Sequence, residues 1–427
     1  MSFPAYAEYK DTGVEWLGEV PKRWSVPAAR MVCQALGSGT TPPDKDEKAY
    51  GGEINWVTTG ELREKGISST RKKLTQHAIE TYSALKLYPK GTLLIAMYGA
   101  TIGRLGWLES NATVNQACCA LQTSDPIDTR FLYYTLVAGK EELLLRGSGG
   151  GQPNINREKV ASLRIAWPTF NERKCIVAFL DRETAKIDAA VAAQERLIAL
   201  LAEKRAATIS HAVTKGLDPD APMKDSGIEW LGQIPAHWEA KRLRFLCKIE
   251  TGDGDTQDAV EDGQYPFFVR SPNIETINRY SFDCEAVMTS GDGAGVGKIY
   301  HHFSGKFTAH QRVYVFHGFN DILPRLVYHY FKSYFARVTL QGTAKSTVES
   351  LRRPLLADFW VVVPEVSEQG AVLEYCDKID RKYEDAIARC EDCIRLLKER
   401  RAALISAAVT GKIEVRGEIK AQEQEAA

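Results

Sequence analysis

The sequence predicts an α+β chain: two mixed α/β domains, each followed by a long helix, arranged as an internal two-fold pseudo-repeat. Three observations predict it. The segment Lys10-Asp11-Thr12-Gly13-Val14-Glu15-Trp16-Leu17-Gly18, with Pro21 and Trp24 after it, returns as Lys224-Asp225-Ser226-Gly227-Ile228-Glu229-Trp230-Leu231-Gly232, with Pro235 and Trp238, at a constant offset of 214. The segment Glu203-Lys204-Arg205-Ala206-Ala207-Thr208-Ile209-Ser210-His211-Ala212-Val213-Thr214 returns as Glu399-Arg400-Arg401-Ala402-Ala403-Leu404-Ile405-Ser406-Ala407-Ala408-Val409-Thr410, at an offset of 196. Between these markers, β-like runs, Gly-rich breaks and helical stretches alternate. Four marker segments in one order are a duplication, and the fall in offset gives the first copy 18 extra residues.

Taken in order, residues 1–168 form the first domain. Its β-like run is Thr92-Leu93-Leu94-Ile95-Ala96-Met97 and its helical stretch Arg130-Phe131-Leu132-Tyr133-Tyr134-Thr135-Leu136. Residues 169–216 form a first spacer helix, because 171–214 contain neither Gly nor Pro and are rich in strong helix formers. Residues 217–364 form the second domain, with the run Arg312-Val313-Tyr314-Val315-Phe316, and 365–412 the second spacer helix. Residues 413–427 are expected to be a disordered tail. The two domains align sparsely: Tyr98-Gly99-Ala100-Thr101-Ile102-Gly103-Arg104 faces Asp292-Gly293-Ala294-Gly295-Val296-Gly297-Lys298, and Asn115-Gln116 lies near His310-Gln311.

Each helix of about 44 residues would run roughly 66 Å. The apolar seam Leu180, Ile187, Val191, Ile198, Leu201, Ile209, Val213 is matched by Cys376, Tyr383, Ile387, Ile394, Leu397, Ile405, Val409. Spacings of mostly seven, four and three describe a narrow stripe that needs a partner, so the two helices are expected to pack as a coiled coil. Thr184, Gln194 and Arg205 interrupt the stripe.

The chain has 427 residues, 55 basic and 55 acidic, with 44% hydrophobic and 26% charged. That excludes a disordered or collagen-like chain and allows two to four domains. No apolar run approaches the ~18 residues of a membrane span. Met1-Ser2-Phe3-Pro4-Ala5-Tyr6 carries no secretory pattern. Nine cysteines at irregular spacing suit reduced thiols in the cytosol. Zero net charge argues against a free-standing nucleic-acid binder.

The paired Gly-x-Glu-Trp-Leu-Gly-x-x-Pro-x-x-Trp units, the Gly99-Ala100-Thr101-Ile102-Gly103-Arg104 turn and the Glu-[Lys/Arg]-Arg-Ala-Ala-x-Ile-Ser-x-Ala-Val-Thr helix ends carry a resemblance. Over essentially its whole length the chain resembles the specificity subunit of Type I restriction–modification enzymes. The resemblance implies two target-recognition domains, each reading one half of a bipartite double-stranded DNA target, and an antiparallel coiled coil between them. It implies methyltransferase subunits, two of them, and restriction (motor) subunits as partners, in the cytoplasm and without a membrane. It implies no catalysis and no cofactor in this chain; S-adenosylmethionine, ATP and Mg²⁺ would belong to the partners. Neutral charge follows if partner subunits supply much of the DNA backbone contact.

Base edges in the major groove are read by Arg or Lys on guanine, Asn or Gln on adenine and Thr methyls on thymine, and phosphates are held by basic, hydroxyl and amide groups. By residue type the DNA-binding candidates of the first domain are Thr40, Thr41, Asn55, Thr58, Thr59, Arg71, Lys72, Lys73, Tyr98, Thr101, Arg104, Asn115 and Gln116, with Gln152 and Asn154 in a Gly-rich loop. Those of the second are Arg270, Ser271, Asn273, Lys298, His310, Gln311, Arg312, Thr343, Lys345 and Ser346. Each is about as well explained as solvated surface, and Tyr98 as a core aromatic. Charge discriminates little, since residues 25–160 hold 16 basic and 13 acidic, and residues 239–356 hold 15 and 13.

Rival chemistries are weak. Gly291 to Lys298 approaches a dinucleotide loop but runs into the strand-like Ile299-Tyr300-His301-His302-Phe303, where such a loop needs a helix. Asp220, Glu239 and Lys241 imitate the metal site of a stand-alone nuclease, yet Ser25 and Pro27 stand where copy one would need Glu239 and Lys241. Cys390 and Cys393 have zinc-like spacing, but only Cys376 is close, and Cys376 and Cys390 fall on the apolar seam, which makes them buried packing residues. His301, His302, His310, His317 and His329 are scattered over both strand faces by alternation. Trp16, Trp24, Trp230 and Trp238 read as anchors of each domain onto the helices. A coiled-coil scaffold without DNA contact is the remaining alternative.

Overall fold

The structure is a computed structural model that describes residues 3–147, 154–335 and 351–417, with Ala294 described by its backbone alone. It divides into two compact units, one of residues 1–193 with 393–427, the other of residues 194–392.

In the first unit, β1 (Tyr9–Asp11) and β2 (Glu19–Pro21) pair as a hairpin formed by the first marker. Then come β3 (Ala35–Gly37), β4 (Tyr50–Val57), β5 (Gly66–Ile67), β6 (Lys73–Leu74) and α1 (Gln76–Thr81). They are followed by β7 (Leu93–Ala96), β8 (Leu105–Leu108), β9 (Ala112–Val114) and β10 (Cys118–Gln122). Five strands form a sheet in the order β3-β10-β7-β8-β5, and three form a second in the order β6-β4-β9. Period-two alternation gives β7 and β10 two packed faces. Leu93, Ile95, Cys119 and Leu121 join one core with the helices, while Leu94, Ala96, Cys118 and Ala120 join another with Val57 and Leu108. Helices α2 (Pro126–Ala138), α3 (Lys140–Leu145) and α4 (Arg157–Ser162) precede α5 (Phe170–Lys215). Asp125 caps α2 by accepting from Ile127 N at 2.7 Å, and Pro126 sits at its first turn, where a missing N–H costs nothing.

The second unit repeats the plan with β11 (Met223–Asp225), β12 (Gln233–Pro235), β13 (Glu239–Arg242), β14 (Lys248–Thr251), β15 (Tyr265–Phe268), β16 (Ile274–Ile277), β17 (Phe282–Ser290), β18 (Tyr300–Ala309) and β19 (Val313–His317). Next come α6 (Pro324–Tyr330), α7 (Arg353–Ala357), β20 (Trp360–Val363) and α8 (Val366–Val409). Its main sheet runs β14-β19-β17-β18-β15-β16. Strand β18 follows without interruption the course that β8 and β9 share, pairing antiparallel with β17 and then parallel with β15 as β9 does with β4. The sequences are too divergent to show this; the pairing does.

Within each unit the long helices lie antiparallel. In the first, Ile405, Ala408 and Val409 of α8 share a core with Ile176, Phe179 and Leu180 of α5, and Arg401 reaches Asp188 at 2.9 Å. In the second, Ile209, Ala212 and Val213 of α5 pack with Val372, Cys376 and Tyr383 of α8, and Arg205 lies 3.5 Å from Asp380 and 3.4 Å from Glu384. Among the seam residues, Leu180, Ile187 and Tyr383 are buried, whereas Val191, Ile198, Leu201, Ile387, Ile394 and Leu397 are half-buried. The residues that interrupt the stripe are used. Thr184 is buried and donates to the Leu180 carbonyl at 2.7 Å, and Arg205 takes the two carboxylates.

The tryptophan anchors hold each domain to its helix. Trp24 is fully buried and donates to Glu172 at 3.3 Å; Trp238, also buried, donates to Glu368 at 2.7 Å, and the two glutamates are 196 residues apart. Asp181 of α5 takes Arg130 at 2.7 Å, and Asp377 of α8, again 196 further on, takes Arg325. Each helix stops at a glycine in the left-handed region, Gly216 (φ +78°) and Gly411 (φ +73°), as a C′ residue should. A Cβ on Gly411 would strike Pro21 and sit 3.1 Å from Trp24; one on Gly216 would sit 3.3 Å from Trp238. Residues 413–417, expected to belong to the tail, pack instead: Val415 is fully buried and Glu414 N donates to the Pro4 carbonyl at 2.7 Å. Residues 418–427 lie outside the described residues.

Candidate nucleic-acid interface

In both units a glycine turn closes the central hairpin. It runs from Tyr98 to Arg104 between β7 and β8, and from Asp292 to Lys298 between β17 and β18. Gly99 (φ +81°) and Gly103 (φ +74°) match Gly293 (φ +77°) and Gly297 (φ +67°), and Ile102 N→Gly99 O repeats as Val296 N→Gly293 O, both 3.1 Å. These dihedrals cost a residue with a Cβ energy that glycine is spared. The residue ahead of each turn also has matching partners. Met97 N donates to Ala117 O and Met97 O accepts from Ile155 N; Gly291 N donates to Arg312 O and Gly291 O accepts from Leu351 N, all at 2.8 Å.

A second turn lies beside the first. In the first unit Asn115 and Gln116 follow β9; Asn115 Oδ1 accepts from Ala117 N at 3.2 Å, so its side chain shapes the turn. Gln116 is exposed and its Oε1 accepts from the Thr41 hydroxyl at 2.6 Å. Gly39 N donates to the Asn115 carbonyl at 3.3 Å, bringing the Gly39–Thr41 loop to the same place. In the second unit Gln311 N donates to Gly254 O at 2.8 Å and Gln311 Nε2 to Asp255 at 2.9 Å. The loop–turn pairing is therefore common, and the side chains shown are not.

Other candidates of the first unit fall in different settings. Asn55 is committed to structure, donating to Ser68 O and Ser110 Oγ and accepting from Thr70 N. Thr58 caps the short turn that follows it through Glu61, whose other oxygen takes Arg71 N at 2.8 Å. Thr40 and Thr59 are half-buried. Arg71, Lys72 and Lys73 line a cleft of about 430 Å³ with Asp44, Tyr50 and Gly51. Tyr98 is half-buried against the main core, Thr101 half-buried, and Arg104 and Asn154 exposed. Gln152 lies outside the described residues, as do Thr343, Lys345 and Ser346.

In the second unit one acid organises the basic candidates. Asp292 accepts from Arg270 at 2.9 Å and from Arg312 at 2.8 Å. Partial burial opposes ionisation, but the hydrogen bonds and charges of the two guanidiniums win and hold its carboxyl below the usual range. His310 is buried, and burial pushes its imidazole pKa down; as a neutral ring its Nδ1 accepts from Arg312 N at 3.0 Å, so it shapes the turn from inside. Ser271 donates to the Asn273 carbonyl, and Lys298 and Asn273 are exposed. Residue-type reasoning passed over Asp292, Asp255 and Glu61, since it sought groups that touch DNA rather than groups that aim them. The clue available was that Asp292 opens the glycine turn.

Residues 21–196 match the family model described as Type I restriction modification DNA specificity domain. Over those residues the chain is similar to the Type I restriction–modification specificity family. It is 33% identical over 182 residues to the Type I restriction enzyme EcoDI specificity subunit of Escherichia coli, covering 43% of this chain and 40% of that protein. It is 27% identical over 279 residues to the MjaIX specificity subunit of Methanocaldococcus jannaschii, covering 62% and 61%. The chain thus spans less than two thirds of the length of these two relatives. The MjaVIII specificity subunit of the same organism aligns at 22% over 425 residues, 93% of this chain and 94% of that one. Among solved structures, one on complex assembly and conformational transition of the type I R-M system superposes with a TM-score of 0.69 at 16% identity, covering 91% of this chain and 98% of the other. The HsdS subunit of Thermoanaerobacter tengcongensis gives 0.50 at 17% identity, covering 92% and 98%. At these identities the likeness is one of fold.

The structure also places the residues of the rival chemistries. Lys241 sits between Glu239 (3.4 Å) and Asp321 (3.1 Å) as a surface ion pair, while Asp220 N caps onto Asp218. Among the described residues no three His, Cys, Asp or Glu side chains come together as a metal-holding group. Nor, among them, is any helix long and apolar enough to cross a membrane.

Proposed function

We propose that this chain is a DNA-sequence-recognition subunit that reads a bipartite double-stranded target, one block per unit. It directs two methyltransferase subunits, and restriction subunits with them, to that target. One observation carries the reading: the same two-turn frame occurs twice with different exposed side chains, Thr41, Arg104 and Gln116 in one unit and Asp255, Gln311 and Arg312 in the other. Hydrogen-bonding and basic groups at the tips suit groove edges. Catalysis, and with it S-adenosylmethionine, ATP and Mg²⁺, belongs to the partners, and the assembly works in the cytoplasm.

The test replaces residues 25–160 with the first domain of another family member and maps methylated adenines in a strain carrying the whole complex. One block of the methylated site should change and the other stay. If both change, or if no split site is methylated by the unaltered complex, the reading is wrong.

A further inference from the structure

Arg270, Asp292 and Arg312 reach one point from three places: the end of β15, the glycine turn and the turn before β19. Like-charged guanidiniums repel, and one carboxylate between them leaves a net positive charge at the tip. Such exposed pairs contribute little to stability, so their geometry calls for another explanation. Arg312 is held at two ends. Its N–H donates to His310 Nδ1 and its carbonyl accepts from Gly291 N, while its Nη1 donates to Asp292 Oδ2. Its Nε and Nη2 make no hydrogen bond among the described residues, and its side chain is 57% exposed against 39% for Arg270. A side chain ordered in advance loses less entropy on binding.

The open edge of Arg312 is two parallel N–H donors. Guanine alone offers two neighbouring acceptors, O6 and N7, in the major groove; adenine pairs an acceptor with a donor, cytosine offers a donor, and thymine one acceptor beside a methyl. A phosphate also suits a guanidinium fork, but Asp292 cancels one of the two positive charges that would hold it, whereas a base edge needs only the paired donors. We propose that Arg312 reads a guanine in the block recognised by the second unit, with Asp292 as its positioning residue. The proposal rests on the DNA-recognition function above and adds which base and which side chains.

The experiment uses the full chain in its complex with methyltransferase subunits, acting on a DNA pool carrying all four bases at every position of the second block. Arg312→Ala should cut discrimination at one G·C position from about 10–100-fold to about 3-fold or less, with the first block unchanged. Arg312→Lys keeps the charge as a single point donor. It should keep the salt dependence of binding and lose most of the discrimination. Asp292→Asn should lose several-fold at the same position. Uniform weakening across all sequences, with the salt slope lower by about one, would mean a phosphate contact and overturn the proposal while leaving the function intact. A second block without a G·C position sensitive to Arg312 overturns it equally. Methylation without a split target would overturn the function as well.

Discussion

Position five after the proline that leads into each long helix is Arg173 in the first unit and Gln369 in the second, 196 residues apart. Arg173 is buried, donates to Asp128 at 2.8 Å and to the Pro168 carbonyl, and lies over Trp167. Gln369 is buried, accepts from Leu323 N at 2.7 Å, and donates to the Asp321 and Pro364 carbonyls at 2.7 and 3.1 Å. Both satisfy the same carbonyl five residues back and tie a domain loop to the helix start. One does it with a charge that needs a countercharge, the other with a neutral amide that needs only backbone. Equal duties can therefore carry unequal penalties for failure.

That inequality sets the largest expected effect. Arg173→Ala strands the Asp128 carboxylate in a buried site and should cost about 3–5 kcal/mol. Gln369→Ala strands backbone groups only and should cost about 1–3 kcal/mol. Urea midpoints of the two full-length variants compare them directly, and equal losses would show that charge is not what separates the sites.

Acid should separate the units next. His329 on α6 is buried, and desolvation pushes its pKa to about 4, from an ordinary 6.5. The second unit therefore has its full stability above pH 6.5 and loses it as pH falls toward 4, because the unfolded chain takes up the proton first. The limit is about 3 kcal/mol. The corresponding helix α2 has no histidine. Hydrogen exchange at pH 5 should show α6 and its sheet opening before α2, and His329→Phe should remove the difference. Simultaneous opening contradicts the assignment.

Helix stops give a smaller contrast. Gly411→Ala adds a clash with Pro21 to the positive-φ penalty and should cost about 2–3 kcal/mol, whereas Gly216→Ala, with more room, should cost about 1 kcal/mol. Thermal melts would show the order. The smallest effects belong to the partly exposed interhelical pairs. Arg401→Ala and Arg205→Ala should each fall within about 1 kcal/mol, and raised salt should shrink both. A loss above 2 kcal/mol at either would mean that the packing beneath depends on the pair.

Much of this architecture was legible in sequence, for identifiable reasons. Helix α5 contains neither Gly nor Pro across its interior and ends at Gly216, and β7 and β19 are apolar runs between breaks, so local pattern sufficed. Trp24 and Trp238 could be assigned as anchors because each belongs to a marker repeated intact, whereas Trp16 and Trp230, given the same role, instead meet the Arg164 carbonyl and the Phe359 ring of their own domains. What stayed hidden was partnership across distance. Nothing near Asn55 announces that Ser68, Thr70 and Ser110 occupy its amide, and nothing near Thr58 says that Glu61 also takes Arg71 N. His310 looks exposed beside Gln311 and Arg312, yet the chain there turns inward. Buried Val415 lay in a stretch whose polarity read as tail.

The glycine turns carry a consequence for how such a molecule changes over time. Gly99, Gly103, Gly293 and Gly297 hold their loops by backbone dihedrals, so the loop shape asks little of the side chains around it. Tips such as Arg104, Gln311 and Arg312 stand outside the packed cores. Substitution there alters what is displayed with little cost in folding free energy, usually within about 0.5 kcal/mol for exposed positions. Most proteins acquire a new binding preference at some expense of stability and must regain it elsewhere. A surface mounted on glycine separates the two, so variants with new tips start from an already folded frame and are exposed to selection on recognition alone.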